Sequence, residues 1–279
     1  PQKHHYEDCI FSISLTFQQY MKPVTRKDII IIIGPTVARE NVIVYNVKNE
    51  DEVIEKFFQL IEEEDPDVFI GDTRLIDVGK SWKNIGRTYE DECTMKTISW
   101  NSSAYGFQKL KFLICAGRIS VDMMPYIKRD HKLPMYNLNS VSKYFLGENK
   151  VDLKPHEMFE IHKKFIDLEE ELNEIMGENS YDNFEQVYQT MDGEQKERFK
   201  DLLESNDKII EYNVQDSVLV IRLFEKLNAW ISLIELSSIV RVTPTEVFTR
   251  GQQVRCIAQL YHAASHKNIV LTKREKDYV

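Results

Sequence analysis

Five consecutive isoleucines, Ile29 to Ile33, constrain the fold more strongly than any other feature of the 279-residue chain. A continuous run of β-branched residues bounded by turn residues is typical of a strand that is buried in a sheet. A second such run, residues 41–47, follows after turn residues, and the alternating segment 9–17 precedes both runs. We predict a half-buried strand for 9–17 and, for the two later runs, a β-hairpin that joins the sheet.

The residues after these strands predict a helix and then another strand. Asp51 to Glu64 carries apolar residues at helical spacing and opens with an acidic residue that is suited to capping. Asp65-Pro66 is expected to end this helix, and residues 67–71, Asp-Val-Phe-Ile-Gly, follow as a short buried strand. Strands, helix and strand in this order indicate an α/β fold with a mixed sheet and flanking helices.

Composition excludes several classes of protein. No window reaches the ~18 uninterrupted apolar residues of a membrane span, and no signal-peptide pattern opens the chain. The four cysteines are far apart and form no CxxC pair, which argues against a zinc ribbon and a disulfide framework. They are Cys9, Cys93, Cys115 and Cys256. We therefore expect a soluble protein of a reducing compartment, the nucleus or cytoplasm of a cell, with no membrane partner and no secretion.

The formal net charge of −9 is unfavourable for a DNA-binding protein, because affinity for phosphates comes from lysine and arginine. Much of the acid is concentrated in residues 62–65 and 157–211, so a neutral or basic groove elsewhere is compatible with this charge. The best local basic patch is 128–132, Lys-Arg-Asp-His-Lys. Such a patch can follow a phosphate strand, or it can be an ordinary solvated face.

Residues 209–224 carry apolar side chains at positions 210, 214, 218, 221 and 224 and predict an amphipathic helix. Tyr212 and Asp216 lie four residues apart, one turn of helix, beside its buried face. The carboxylate can ligate a divalent metal, and the tyrosine hydroxyl can orient an attacking water. The competing interpretation is an exposed aspartate and a half-buried tyrosine on an ordinary helix.

Three blocks of the sequence resemble the family B DNA polymerases, in the same order as in that family. Residues 117–150 are similar to the family pattern GRxxxD, KLxxYxLNxV and FLGExK. Residues 212–227, YNVQDSVLVIRLFEKL, resemble the third exonuclease motif, and residues 249–253, TRGQQ, match the segment that leads towards the polymerase domain. The resemblance is closest over 100–153 and 206–272, and it is of the type found in large DNA viruses and eukaryotic replicases.

This resemblance implies a ribonuclease-H-like 3′→5′ exonuclease domain over residues 1–227 and an all-helical bridge towards a polymerase domain over residues 228–279. The implied activity is removal of a mispaired terminal nucleotide by two-metal phosphodiester hydrolysis with Mg²⁺ or Mn²⁺. Asp216 is then a metal ligand, and Tyr212 orients the nucleophile or the scissile phosphate. The implied partners are a DNA primer-template, its single-stranded 3′ end and, as a further candidate, a processivity factor. The polymerase patterns DxxSLYP and YGDTDS are absent, so this chain alone cannot polymerise DNA.

The chain departs from the family at the two motifs that should supply further carboxylates. After residues 65–71 the family continues with YNxxxFD, whereas residues 72–78 read Asp-Thr-Arg-Leu-Ile-Asp-Val, and Asp77 falls about one residue short of the expected place. Either this motif has degenerated or residues are missing between positions 71 and 72. We favour missing residues, which predicts a Cα–Cα distance beyond the ~3.8 Å of a trans peptide. The first motif, Asp-x-Glu, has no counterpart, because Glu7-Asp8 aligns better with an acidic residue that precedes the second strand.

A lone Asp216 cannot hold two cations, so the catalytic set of this sequence is incomplete. Three functions stay open: the proofreading region of a polymerase, a ribonuclease-H-like scaffold that has lost its metal site, and a free-standing nuclease. In the first, Asp216→Ala is expected to abolish degradation of single-stranded DNA with folding nearly untouched. Tyr212→Phe is expected to cost no more than roughly 10²–10³-fold in rate. Asp216 should face a cleft at the open end of the sheet.

The remaining motifs concern local structure. Asp122 is either a cleft carboxylate or the cap of a helix that begins near Pro125. Residues 111–115 and 119–123 predict paired strands around the turn Ala-Gly-Arg between them. Further helices are predicted at 184–203, 229–238 and 245–267, with an acidic break at 177–183.

Overall fold

The computed structural model describes residues 9–71, 85–88, 93–102, 106–150, 153–177 and 181–271. The chain divides into two compact units. The first contains the residues up to Pro66 together with Leu133–Leu223, and the second contains Asp67–Lys132 together with the residues from Phe224 onward. The predicted domain boundary between residues 227 and 228 concerns the family's domains and stays a prediction. In the described parts of the chain, no helix is long and apolar enough to cross a membrane.

A three-stranded sheet forms the first unit's base, with the order β1 (Ser12–Gln19), β2 (Lys22–Ile33), β3 (Val42–Val47). Strands β1 and β2 are antiparallel and are joined by a tight turn at Tyr20 and Met21, where Met21 has a φ of 57°. Strands β2 and β3 are parallel, with Ile30 opposite Val44. The predicted strands are confirmed, but the predicted hairpin between the two later runs is wrong. The hairpin is formed by β1 and β2.

The connection between β2 and β3 explains the parallel pairing. Residues 34–41 can span about 26–29 Å when extended, which exceeds the ~20 Å length of six residues of strand. The chain therefore has enough length to return to the start of β3 on the free edge of β2. Gly34 turns the chain with a φ of 97°, and its N–H donates to the carbonyl of Val47 over 3.0 Å. No hairpin turn is needed at this position.

The helices of the first unit are α1 (Glu50–Glu64), α3 (Leu138–Leu146), α4 (Pro155–Met176), α5 (Phe184–Thr190) and α6 (Gly193–Lys226), and α6 runs on past the end of this unit. The predicted helix α1 is confirmed, but its cap is Asn49 rather than Asp51, because the Asn49 side chain accepts from the Glu52 N–H. Asp65 ends α1 in the left-handed region with a φ of 42°.

The predicted helix over 184–203 is divided in two. Met191 leaves the helical conformation, and Asp192 begins α6 by accepting from the N–H of Gln195 over 2.8 Å. The Gln195 side chain in turn accepts from the N–H of Asp192, which completes a capping box. From Gly193 onward, α6 continues through the predicted helix 209–224 as one helix of 34 residues.

The five isoleucines lie in the core of the first unit, each no more than 5% exposed. They pack in one cluster with residues of α1, α4 and α6, including Leu60, Phe165 and Ile210. Burial of side chains that point to both faces of β2 explains why its sequence does not alternate. The run of five isoleucines therefore lies at the centre of the first unit's core.

The second unit contains two strand pairs and four helices within the described residues. Strand β4 (Val68–Ile70) is parallel to β7 (Ile119–Val121), and β5 (Thr94–Ser102) is antiparallel to β6 (Gly106–Ile114). The helices are α2 (Met123–Asp130), α7 (Ala229–Val240), α8 (Pro244–Thr249) and α9 (Gln252–His266). The predicted helix over 245–267 is interrupted at Arg250 and Gly251, where the backbone is extended.

The predicted pairing of 111–115 with 119–123 is wrong. Cys115 and Arg118 form an isolated bridge around a turn in which Gly117 has a φ of 80°. Beyond this bridge the strands separate, because β6 pairs over nine residues with β5 and β7 pairs with β4. The sequence identified the turn correctly but not the partners of its strands.

Candidate functional site

Helix α6 places Tyr212 and Asp216 one turn apart, as predicted from their spacing. Both side chains are half-buried, and Asp216 is 28% exposed. Asp216 therefore does not point into bulk solvent, whereas its predicted location in a cleft stays a prediction. A cavity of about 250 Å³ in the same unit is lined by residues such as Glu157, Lys164 and Lys208 and does not include Asp216.

Lys150 joins Tyr212 and Asp216 into a cluster of three side chains. Its Nζ donates to Oδ2 of Asp216 and to the hydroxyl of Tyr212, each over 2.6 Å. The same ammonium lies 4.0 Å from the centroid of the Tyr212 ring, within the range of a cation–π contact. Sequence analysis missed Lys150 as a site residue, although it is the last residue of the FLGExK pattern. The available signal was the fixed place of this lysine in the family pattern.

The loop that carries Lys150 is held to α6 by side chains on both. Helix α3 ends at Gly147 with a φ of 73°, and the following residue, Glu148, pairs with Arg222 over 2.5 Å. The side-chain amide of Gln215 donates to the carbonyl of Asn149 over 3.2 Å. These contacts fix the position from which the lysine reaches Tyr212 and Asp216.

A second group of polar contacts fixes α6 against β1. The Ser14 hydroxyl donates to the carbonyl of Asn213 over 2.7 Å, and the Asn213 amide donates to Ser12 over 2.8 Å. The hydroxyls of Ser14 and Ser217 are 2.5 Å apart. Because these contacts connect one face of α6 to a strand, they set the rotation of the helix and the direction of its Tyr212 and Asp216 side chains.

The electrostatics of the cluster follow from burial and charge. Burial raises the pKa of Asp216, and hydrogen bonds from Lys150 and Tyr212 offset part of this increase. Burial lowers the pKa of Lys150, but its hydrogen bonds to Asp216 and Tyr212 outweigh burial and the net shift is upward. The ammonium of Lys150, 2.6 Å from Oδ2 of Asp216, favours the ionised form of the carboxylate. Asp216→Ala would leave a half-buried ammonium without its counter-ion, which argues against the expectation that this change leaves folding nearly untouched.

Asp216 offers one oxygen to a cation. Its Oδ1 atom is buried and has no hydrogen-bond partner in the described structure, so this oxygen could serve as a ligand of a cation. Within the described ranges, however, no three His, Cys, Asp or Glu side chains are grouped so that they could hold a metal. Glu7-Asp8, Asp77 and the distance between positions 71 and 72 lie outside the described residues. Asp216 therefore fits a divalent metal as a single ligand.

The other candidates have structural roles. Asp122 caps α2, as one of its two interpretations predicted, because its Oδ1 accepts from the N–H of Met124 over 2.9 Å. In the basic patch 128–132, the side chains of Lys128 and Lys132 are exposed, as on a solvated face, and that of Arg129 lies outside the described set. The four cysteines are free thiols.

Comparison with known proteins identifies the family to which the sequence is similar. The sequence model described as DNA polymerase family B, exonuclease domain, matches residues 1–71 and 72–141, and its two segments meet where the sequence departs from the family pattern. DNA polymerase 120R of Invertebrate iridescent virus 3 is 29% identical over 269 residues, which are 91% of this chain and 21% of that protein. DNA polymerase 037L of Invertebrate iridescent virus 6 is 30% identical over 239 residues, 62% of this chain and 19% of that protein.

A cellular relative gives a similar result. The DNA polymerase delta catalytic subunit of Schizosaccharomyces pombe is 26% identical over 241 residues, 82% of this chain and 19% of that protein. The chain thus spans about a fifth of the length of each of these three relatives.

Proposed function

The chain belongs to DNA polymerase family B, and from this we propose that it forms the proofreading 3′→5′ exonuclease region of a longer DNA polymerase. The single observation that carries the proposal is the half-buried cluster of Lys150, Tyr212 and Asp216. Asp216 and Tyr212 are the two residues that the family resemblance assigned to catalysis. The cluster combines a carboxylate, a phenol and a cation, which can serve as a metal ligand, an orienting group and a charge partner of a phosphate.

The proposed fold is the ribonuclease-H-like exonuclease fold, which the mixed α/β content supports. The proposed division assigns residues 1–227 to this domain and 228–279 to a helical bridge. Within the second range, the structure describes three helices and no strand, which agrees with a bridge. The polymerase activity is proposed for the rest of the protein, because the patterns DxxSLYP and YGDTDS do not occur in this sequence.

Each side chain of the cluster has a proposed task. Mg²⁺ or Mn²⁺, when bound, would activate the attacking water and stabilise the leaving oxygen, and Asp216 would supply one ligand through Oδ1. Tyr212 accepts a hydrogen bond from Lys150, and its hydroxyl would orient the scissile phosphate or the attacking water. Lys150 holds a positive charge where negative charge accumulates on the phosphate, and partial burial strengthens that interaction.

The proposed substrate is the single-stranded 3′ end of a DNA primer-template. A mismatch lowers the free energy required to unpair the terminal nucleotides, so a mispaired end reaches an exonuclease site more often than a paired one. This preference would let the region act as a proofreader. The net charge of −9 implies that lysines and arginines elsewhere in the whole protein supply most of the affinity for the DNA backbone.

A scaffold without catalysis is the second candidate, and one observation favours it. Lys150 already neutralises Asp216, as expected where an ion pair has replaced a metal site. A 3′-labelled primer incubated with the intact polymerase and Mg²⁺ or Mn²⁺ distinguishes the two candidates. Shortening of the primer that disappears in Asp216→Asn supports the nuclease. An intact primer with the unmodified polymerase would overturn it and support the scaffold.

A further inference from the structure

Helix α9 carries two exposed histidines one turn apart. His262 and His266 are related as i and i+4, so their side chains lie on the same face of the helix. Their Nε2 atoms are 3.2 Å apart, and their ring centroids are 4.4 Å apart with an angle of 80° between the ring planes. The two ring nitrogens are thus close enough to bind one ion.

The distance between the two Nε2 atoms can be compared with the distance expected for two imidazole ligands of one metal ion. Zn²⁺ binds imidazole nitrogens at ~2.0–2.1 Å with near-tetrahedral angles, which places two such nitrogens about 3.3–3.4 Å apart. The observed separation of 3.2 Å is within about 0.2 Å of that value, the tolerance expected of a metal site. The two histidines lie one turn apart on the same helix, and the helix holds the pair together.

We propose that His262 and His266 form a surface site for Zn²⁺ or Cu²⁺. In the described parts of the chain, no third His, Cys, Asp or Glu joins them, so water completes the coordination of the ion. Both side chains are exposed, and an ion can therefore reach them directly from solvent. The site is independent of the proposed exonuclease function.

The chemistry of the two ligands sets the selectivity. Imidazole nitrogens suit Zn²⁺, Cu²⁺ and Ni²⁺, whereas Mg²⁺ prefers carboxylate and water oxygens. Among divalent ions of the first transition row, Cu²⁺ should bind most tightly. The histidine pair and Asp216 are therefore expected to take different ions, and a titration with Mg²⁺ should leave the pair empty.

Calorimetric titration of the full chain with ZnCl₂ tests the proposal. We expect one Zn²⁺ per chain and, at saturation, a rise of about 2 °C or more in the midpoint of thermal unfolding, because the ion binds only the folded helix. His262→Ala and His266→Ala should each weaken binding at least about tenfold, since each removes one of two protein ligands. Circular dichroism checks that each variant keeps its helices, and His262→Gln is the second variant if one does not.

Two controls separate the proposed site from unspecific binding. His156→Ala removes an exposed histidine of α4 and should leave Zn²⁺ binding unchanged. The double variant His266→Ala with Lys267→His keeps two histidines but places them five residues apart, about 140° apart around a helix. It should behave like His266→Ala. Zn²⁺ affinity that survives in both single alanine variants or in the double variant, or no affinity in the unmodified chain, would overturn the proposal.

Discussion

Asp216 and Asp122 both belong to segments that resemble family motifs, yet the two regions use the carboxylate differently. Asp216 binds a side chain, Lys150, through Oδ2 and keeps a buried Oδ1 atom without a hydrogen-bond partner. Asp122 is 9% exposed and binds the backbone N–H of Met124 at the start of α2. The first carboxylate faces a charge, whereas the second satisfies a helix terminus.

Burial alone therefore does not distinguish Asp216, the proposed metal ligand, from Asp122, a helix cap. Asp122 is the more buried of the two, but any good N-cap residue can accept from a helix N–H, and a negative charge is not required. Asp216 instead pairs with an ammonium, and its proposed role as a metal ligand also uses the negative charge of the carboxylate. The same substitution, aspartate to asparagine, should therefore give opposite results at the two positions.

The largest expected effect is on exonuclease activity. In the intact polymerase, Asp216→Asn should lower the rate of digestion of a 3′-labelled single strand by about 10³-fold or more, because an amide is a poor metal ligand. Asp122→Asn should change that rate by no more than about threefold, because asparagine caps helices equally well. Equal rates for the two variants would remove the distinction between the regions.

Lys150→Met should give the next largest effect, a decrease of about 10²–10³-fold in the same assay. Methionine keeps much of the length of the side chain but removes the positive charge beside Asp216 and the hydrogen bond to Tyr212. Lys143→Met changes an exposed lysine of α3 and is the matched control, for which we expect a change of less than about twofold. A fully active Lys150→Met polymerase would show that the lysine has no part in hydrolysis.

Tyr212→Phe is expected to lower the rate by about 10–10²-fold. The phenylalanine ring retains the contact with the Lys150 ammonium and loses only the hydroxyl that accepts from it. The decrease should therefore be smaller than that of Asp216→Asn. Single-turnover kinetics with a saturating primer measure this step, and a loss as complete as that of Asp216→Asn would make Tyr212 an essential group instead of an orienting one.

Substitutions of Asp122 and Asp216 should also change the free energy of unfolding, for different reasons at the two positions. Asp122→Ala should lower the free energy of unfolding by about 1 kcal/mol, the usual cost of a lost N-cap, whereas Asp122→Asn should cost only a few tenths. Asp216→Ala should cost about 1–2 kcal/mol, because Lys150 loses its counter-ion at a site that still has partial access to water. Urea unfolding measures all three values. An Asp216→Ala protein of unchanged stability would instead support the expectation, drawn from the sequence, that this change leaves folding nearly untouched.

The smallest expected effect is a dependence of stability on alkaline pH. The folded pKa of Lys150 is raised above its ordinary value of 10.5, so its contribution is fully present below pH 10.5 and is lost as the pH rises through the folded pKa. Lys150→Met should remove this part of the pH dependence. Asp122→Asn should retain it, because this change leaves Lys150 and Asp216 in place. Urea unfolding at several pH values above 10 tests the difference between these variants.

Much of this structure was predictable where the determining interactions are local. The Ile29–Ile33 strand, helix α1 with its end at Asp65, and the spacing of Tyr212 and Asp216 all follow from residues that are close in sequence. The capping box of Asp192 and Gln195 was also readable, since its residues are three apart. The break in the predicted helix 184–203 was missed because apolar periodicity was given more weight than this cap.

By itself, the sequence determined the buried strand, the turn at Gly117, the helix that carries Asp216 and, through its motifs, the polymerase family. Only the tertiary structure decided that β2 and β3 are parallel and that Lys150, 66 residues before Asp216, neutralises it. Hydrogen bonds within a helix and the exclusion of water from an apolar run act over a few residues, so their result is visible in a local pattern. Strand direction and the partner of a charge depend on which distant segments the folded chain brings together, and no local pattern records that choice.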